Sequence, residues 1–173
     1  MDPLLTISFE SFSSIWFWFI TSIAWSVTCH ITLGVPYDLL TRAERQGGQS
    51  AEDVDQIVRI QARRLRGYFG GSTSRIVGVM VLTFVLAILG TFGIYYSYEL
   101  AMAIFVLIVP LIIVQILTVR LAFRLDREPL SGAPLRAVLL RRRFWNQIIG
   151  LISIMAIAAA AFLNFARNFA IWY

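Results

Sequence analysis

The chain contains one histidine and one cysteine, adjacent to each other at Cys29 and His30. An imidazole can serve as an axial ligand of haem, so a haem or a quinone bound through His30 would make the protein a redox subunit. A haem held by two histidines needs a second one, which leaves a haem shared with a partner or a histidine–methionine pair with Met80, Met102 or Met155. A histidine that is hydrogen-bonded at a helix end is the simpler interpretation. We therefore predict no cofactor, and one cysteine is too few for a thiolate metal site.

A transport pathway is the second kind of chemistry that the sequence leaves open. Pathways through lipid usually carry ionisable side chains, yet Asp, Glu, Arg and Lys are absent from the four long apolar runs, residues 11–37, 76–98, 100–119 and 144–166. The third stretch has Pro110 near its middle, which predicts a kinked helix, and Gln115 as its only strongly polar side chain. These two residues could line a polar cavity, so a small transporter or channel remains an alternative function.

Catalytic motifs are missing from the sequence. It has no HExxH, CxxC or GxSxG pattern and no glycine-rich loop of the kind that cradles phosphate. We therefore expect a protein that is not an enzyme.

The composition is typical of a membrane protein, with 58% hydrophobic and 14% charged residues in a chain of 173. Soluble domains have about 25% charged residues, and a membrane-spanning helix needs about 20 apolar residues. Four stretches meet this requirement, at residues 11–36, 76–98, 100–120 and 144–167. The sequence thus predicts an all-α polytopic membrane protein with four transmembrane helices in a single domain, residues 1–173.

Residues 50–66 form the only long polar segment, and their pattern predicts one amphipathic helix outside the membrane. Acidic residues lie in the first turns and arginines in the last, as the helix dipole favours, while Val54, Val58 and Ala62 share one face. Two arrangements stay open for this apolar face. The helix could lie in the lipid headgroup layer, or the face could dock onto a partner protein.

Small residues in two of the predicted spans indicate close helix packing. Glycine and alanine allow helix backbones to approach one another in a membrane. In the second and fourth spans the residues concerned are Gly78, Gly90, Gly93, Gly150, Ala158 and Ala161.

The distribution of arginine predicts the orientation in the membrane. Fourteen of the fifteen arginines lie between the first and second or between the third and fourth spans, and only Arg167 lies on the other side. Basic loops face the cytoplasm, so both termini are predicted to be periplasmic in a bacterial inner membrane. The arginines expected to contact partner proteins or anionic lipids are Arg59, Arg63, Arg64, Arg66, Arg141, Arg142 and Arg143. No nucleic-acid binding is predicted.

Three segments of the sequence resemble a small family of alphaproteobacterial membrane proteins. They are ESFSSIWFW, then W-S-x-x-x-H-x-x-L-G-V-P-Y-D from Trp25 to Asp38, then R-A-E-R-Q-G-G from Arg42 to Gly48. The resemblance covers most of residues 8–125. That family is labelled as a component of the SUF iron–sulphur assembly complex, which implies SUF assembly proteins as partners and no catalytic residues.

Well-defined topology without recognisable chemistry is typical of an accessory subunit. We therefore expect a non-catalytic accessory or scaffold subunit of a membrane complex, which organises partner subunits through its basic cytoplasmic face. A transporter and a redox subunit that uses His30 are the alternatives.

Overall fold

The computed structural model describes residues 15–96 and 98–170, with side chains as far as Leu163 and at Ala166, and it is mostly helical. In chain order the elements are α1 (Ile15–His30), β1 (Ile31–Thr32), β2 (Val35–Pro36), α2 (Tyr37–Gln46), α3 (Gly48–Phe69), α4 (Ser72–Gly90), a π-helical turn (Thr91–Tyr95), α5 (Glu99–Arg127) and α6 (Ala133–Ala170).

Three helices in the described part of the chain are long and apolar enough to cross a membrane. They are Ser72–Tyr95, which includes the π-helical turn, Glu99–Arg127 and Ala133–Leu163. These correspond to the second, third and fourth predicted spans. Helix α6 runs unbroken from Ala133 through the arginines into the apolar stretch.

The first predicted span ends earlier than expected, and the prediction of residues 11–36 is wrong at its C-terminal boundary. Helix α1 stops at His30, and the next six residues form a two-stranded antiparallel hairpin in which Thr32 faces Val35. Leu33 and Gly34 make its two-residue turn with positive φ angles of 51° and 78°, as tight hairpins require. The hairpin buries Leu33 and Val35 against α2 and α3. Residues 11–14 lie outside the described part.

Helix α3 is the predicted amphipathic helix, extended from residues 50–66 to Gly48–Phe69. Its apolar face is not free for lipid or for a partner, so both arrangements considered for it are wrong. Val54, Val58 and Ala62 are at most 3% exposed and lie in a core with the hairpin, α2, the end of α5 and the start of α6. We call this unit, residues 31–69 with 120–143, the cap.

Two polar contacts join the parts of the cap. Arg66 of α3 forms an ion pair with Asp126 of α5. The carboxylate of Asp55 accepts a hydrogen bond from the backbone N–H of Gly132, with both oxygens 3.2 Å from that nitrogen. The two arginine-rich segments of the sequence are therefore one folded unit rather than two separate loops.

The apolar helices pack less densely than the cap. A second cluster joins α1, α5 and α6 around Ala103 and Ile157. Helix α4 contacts α5, and none of its residues is buried. At the far end, the π-helical turn brings Gly93 against α5, where an added Cβ would lie 2.7 Å from the backbone nitrogen of Met102.

Candidate functional site

A cavity of about 280 Å³ lies where the apolar helices meet the cap. Helices α1, α5 and α6 form its walls, and the hairpin and α3 cover it on the side of the cap. The lining residues are Val27, Thr28, Ile31, Leu33, Gly34, Gln61, Leu65, Val114, Gln115, Thr118 and Asn146. Five of these side chains are amides or hydroxyls, which is an unusual concentration at the end of an apolar bundle.

The two threonines of the cavity wall have already used their hydroxyl protons. Thr28 donates its hydroxyl hydrogen to the carbonyl of Ala24 at 2.7 Å, and Thr118 donates to the carbonyl of Val114 at 2.8 Å. Such bonds to the preceding helical turn are common for threonine. Each hydroxyl oxygen therefore remains available only as an acceptor.

Asn146 is the most deeply buried polar group of the cavity, with 2% of its surface exposed. Its amide nitrogen lies 3.4 Å from the backbone carbonyl of Thr28, and this partner fixes the orientation of the amide because a carbonyl only accepts. The amide oxygen has no hydrogen-bond partner. A buried polar atom without a partner costs about 1–3 kcal/mol, so a ligand or water that donates to this oxygen would be stabilising.

Arg142 lies one turn before Asn146 on α6, and it is only 8% exposed. One guanidinium nitrogen donates to the carbonyl of Val114 at 2.8 Å, whereas Nε has no partner. Among the side chains described in residues 15–96 and 98–163, no salt bridge joins Arg142 to a carboxylate. Arg142 is therefore not part of the exposed basic surface, because this face of α6 points toward α5.

The other predicted arginines have different environments. Arg59, Arg63, Arg64 and Arg141 are exposed, and Arg66 is held by Asp126. Arg143 lies over the ring of Tyr37, 3.4 Å from its centroid, which is a cation–π arrangement. The exposed members therefore form the basic outer surface of the cap.

A second basic surface lies on α5, and it was not predicted from the sequence. Arg120, Phe123, Arg124 and Arg127 share one face of α5 and, with Glu128, line a surface cavity of about 470 Å³. Their spacing of three, four and seven residues on a helix would have revealed them.

The residues proposed for redox or transport chemistry are only partly brought together. The side chain of His30 is 47% exposed, and its Nε2 lies 3.8 Å from Asp38. Groups of three or more His, Cys, Asp or Glu that could hold a metal are absent from the described residues. Gln115 lines the cavity, and Pro110 lies inside α5 one turn and a half before it.

Some of the small residues predicted for helix packing lie against a neighbouring helix, and others are exposed. An added Cβ at Gly150 would lie 2.8 Å from the ring of Trp25, and one at Gly93 would meet the backbone of Met102. Gly90 has an ordinary distance of 3.6 Å to Phe105. Ala161 borders the second cluster, whereas Gly78 has no neighbour within 4 Å and Ala158 is exposed.

Comparison with known proteins finds no family model, no curated protein and no solved structure that matches this chain. The resemblance to the SUF-labelled membrane family therefore depends only on the sequence segments quoted above.

Proposed function

We propose that this protein is a non-catalytic accessory or scaffold subunit of a bacterial inner-membrane complex. In this proposal the chain has four spans, both termini are periplasmic, and the cap is cytoplasmic. Helix α4 would bind another subunit within the membrane, and the arginines of the cap would contact partner proteins and anionic lipids.

The observation that carries the proposal is the exposure of α4, which contacts α5 along only part of its surface. This helix is long enough to span the membrane, yet none of its residues is buried within the chain. Gly78 lies on it, and a Cβ added there would have no neighbour within 4 Å. Glycine destabilises a helix by about 1 kcal/mol relative to alanine, whereas it is favoured where two membrane helices touch. A glycine without an intrachain neighbour therefore supports contact with a second protein.

The fourth span of the proposal is α1. Its 16 described residues contain no Asp, Glu, Arg or Lys, but they extend only about 24 Å at 1.5 Å per residue. The apolar core of a bilayer is about 30 Å thick, so the span would have to include residues before Ile15. The contact of Trp25 with Gly150 supports this assignment, because it aligns α1 along α6.

The orientation is testable with a topology reporter. A periplasm-active enzyme fused after Tyr173 should be active, and the same enzyme inserted between Gly47 and Gly48 should be inactive. The reason is that fourteen arginines lie on the side of the cap, and basic segments are retained in the cytoplasm. Activity at the insertion and none at the C-terminal fusion would contradict the proposed orientation.

The subunit proposal predicts the effect of Gly78→Leu on complex formation. The variant should fold normally, because nothing lies within 4 Å of an added Cβ. It should reduce the recovery of co-purifying subunits by about tenfold in a mild-detergent pull-down from native membranes, since a leucine would separate two packed helices. Val79→Leu, on the same helix and 63% exposed, is the matched control.

The same pull-down separates the alternative functions. Recovery of a stoichiometric set of subunits would support the proposal and identify the partners, including SUF assembly proteins if the resemblance is informative. A protein that elutes alone and colourless would contradict the proposal and favour transport. A visible absorption band that His30→Ala removes would favour the redox alternative.

A further inference from the structure

The cavity between the helices and the cap has an apolar edge. Val27 and Ile31 line it and are 53% and 43% exposed. Both belong to the stretch where α1 passes into the hairpin, at the border between the apolar helices and the charged cap. A molecule that occupies the cavity can therefore contact apolar surface outside it and polar groups inside it.

Three oxygen atoms of the cavity wall are open to a hydrogen-bond donor. The hydroxyl oxygens of Thr28 and Thr118 can only accept, since their protons bond to backbone carbonyls. The amide oxygen of Asn146 is unpaired, whereas its nitrogen donates one hydrogen bond to the carbonyl of Thr28. A ligand with hydroxyl groups would satisfy these oxygens, whereas a ligand that only accepts would not. The amides of Gln61 and Gln115 carry both donors and acceptors and suit either ligand.

The charge beside the cavity disfavours a cation. The guanidinium of Arg142 is bound to the carbonyl of Val114, which belongs to the cavity wall. Among the residues with described side chains, no carboxylate pairs with it. An anionic group next to the cavity would lower the cost of this buried charge.

We propose that this cavity binds the head group of an anionic membrane lipid that carries hydroxyl groups, with phosphatidylglycerol as the representative chemistry. The two glycerol hydroxyls donate to two of these acceptors, the unpaired amide oxygen of Asn146 and the hydroxyl oxygen of Thr28 or Thr118. The phosphodiester lies on the side of Arg142, and the acyl chains lie along Val27 and Ile31. This site is separate from the exposed arginines of the cap, and it does not depend on the subunit proposal.

The experiment compares two lipids of equal charge. The full chain is reconstituted into nanodiscs of phosphatidylcholine that contain either phosphatidylglycerol or phosphatidylmethanol, an anionic lipid without hydroxyl groups on its head group. Lipids retained by the released protein are counted by native mass spectrometry. We expect phosphatidylglycerol to be retained about fivefold or more above phosphatidylmethanol, because at least one additional hydrogen bond is made.

Variants that keep every charge test the cavity itself. Thr28→Val, Thr118→Val and Asn146→Leu together remove all three acceptors with little change of side-chain volume. The preference for phosphatidylglycerol should fall to about one. Thr83→Val, on the exposed surface of α4, should leave the preference unchanged. Thermal unfolding of both proteins in detergent verifies that they are folded.

Three results would overturn the assignment. Equal retention of the two anionic lipids would show that charge alone is recognised, as the surface arginines would do. A preference that survives in the triple variant would place the lipid elsewhere. Displacement of phosphatidylglycerol by a large excess of free glycerol would identify the ligand as a soluble polyol instead of a lipid.

Discussion

Val58→Asp is expected to unfold the cap. Val58 is 3% exposed in a core formed by α3, α5, α6 and the hairpin, so the new carboxylate would be buried without a partner. An uncompensated buried charge costs about 3–5 kcal/mol, which corresponds to a fall in Tm of roughly 10 °C for a chain of this size. Thermal unfolding in detergent measures the loss. Trypsin should then cleave at Arg124 and Arg127 as well as within α3.

The matched control is Ile60→Asp, two residues along the same helix. Ile60 is 48% exposed, so its replacement should change the Tm by no more than about 2 °C. Leu139→Asp, in α6, should reproduce the loss caused by Val58→Asp because Leu139 belongs to the same core. If Val58→Asp exposed only the arginines of α3 to trypsin, α3 would be an independent surface helix and the cap would not be one unit.

The sequence predicts which segments are helical better than it predicts what they contact. The apolar stretches and the polar helix of residues 50–66 are recognised from composition and periodicity, and three of the four spans correspond to helices long enough to cross a membrane. The stripe of Val54, Val58 and Ala62 has the same pattern whether it faces lipid, a partner or the chain itself. Only the fold shows that it faces Leu125 and Leu139.

The C-terminal end of the first span shows a second limit of prediction from sequence. The glycine and proline after Leu33 correctly indicate that the helix must stop, but not how far before them it does so. The helix stops at His30, and Leu33 and Val35 of the following hairpin are buried in the cap. Their burial depends on residues far away in the sequence, which periodicity does not detect.

The sequence predicts one residue of the candidate site and does not predict the others. Gln115 stands out as a polar side chain in an apolar stretch, and it does line the cavity. Arg142 belongs to a run of three arginines, which looks like a uniform basic surface. About one in every three or four positions on a helix faces the neighbouring helices. In this part of α6 the buried positions are Arg142 and, one turn later, Asn146.

Gly150→Leu is expected to separate α1 from α6. An added Cβ at this position would lie 2.8 Å from one carbon of the Trp25 ring and 3.2 Å from another, and leucine places three more carbons there. Overpacking of this kind costs about 1–3 kcal/mol. Cys29 lies one turn after Trp25 and is the only cysteine in the chain. Its rate of reaction with a maleimide should rise severalfold as α1 loosens.

Gly78→Leu is the control for this prediction, since it makes the same change in another apolar helix with no neighbour within 4 Å. It should leave the labelling rate of Cys29 unchanged in the purified chain. An unchanged rate in Gly150→Leu as well would mean that α1 does not rest on α6, and the proposed fourth span would lose its support. The two glycines thus separate the contacts that hold this chain together from the surface that we propose for another subunit.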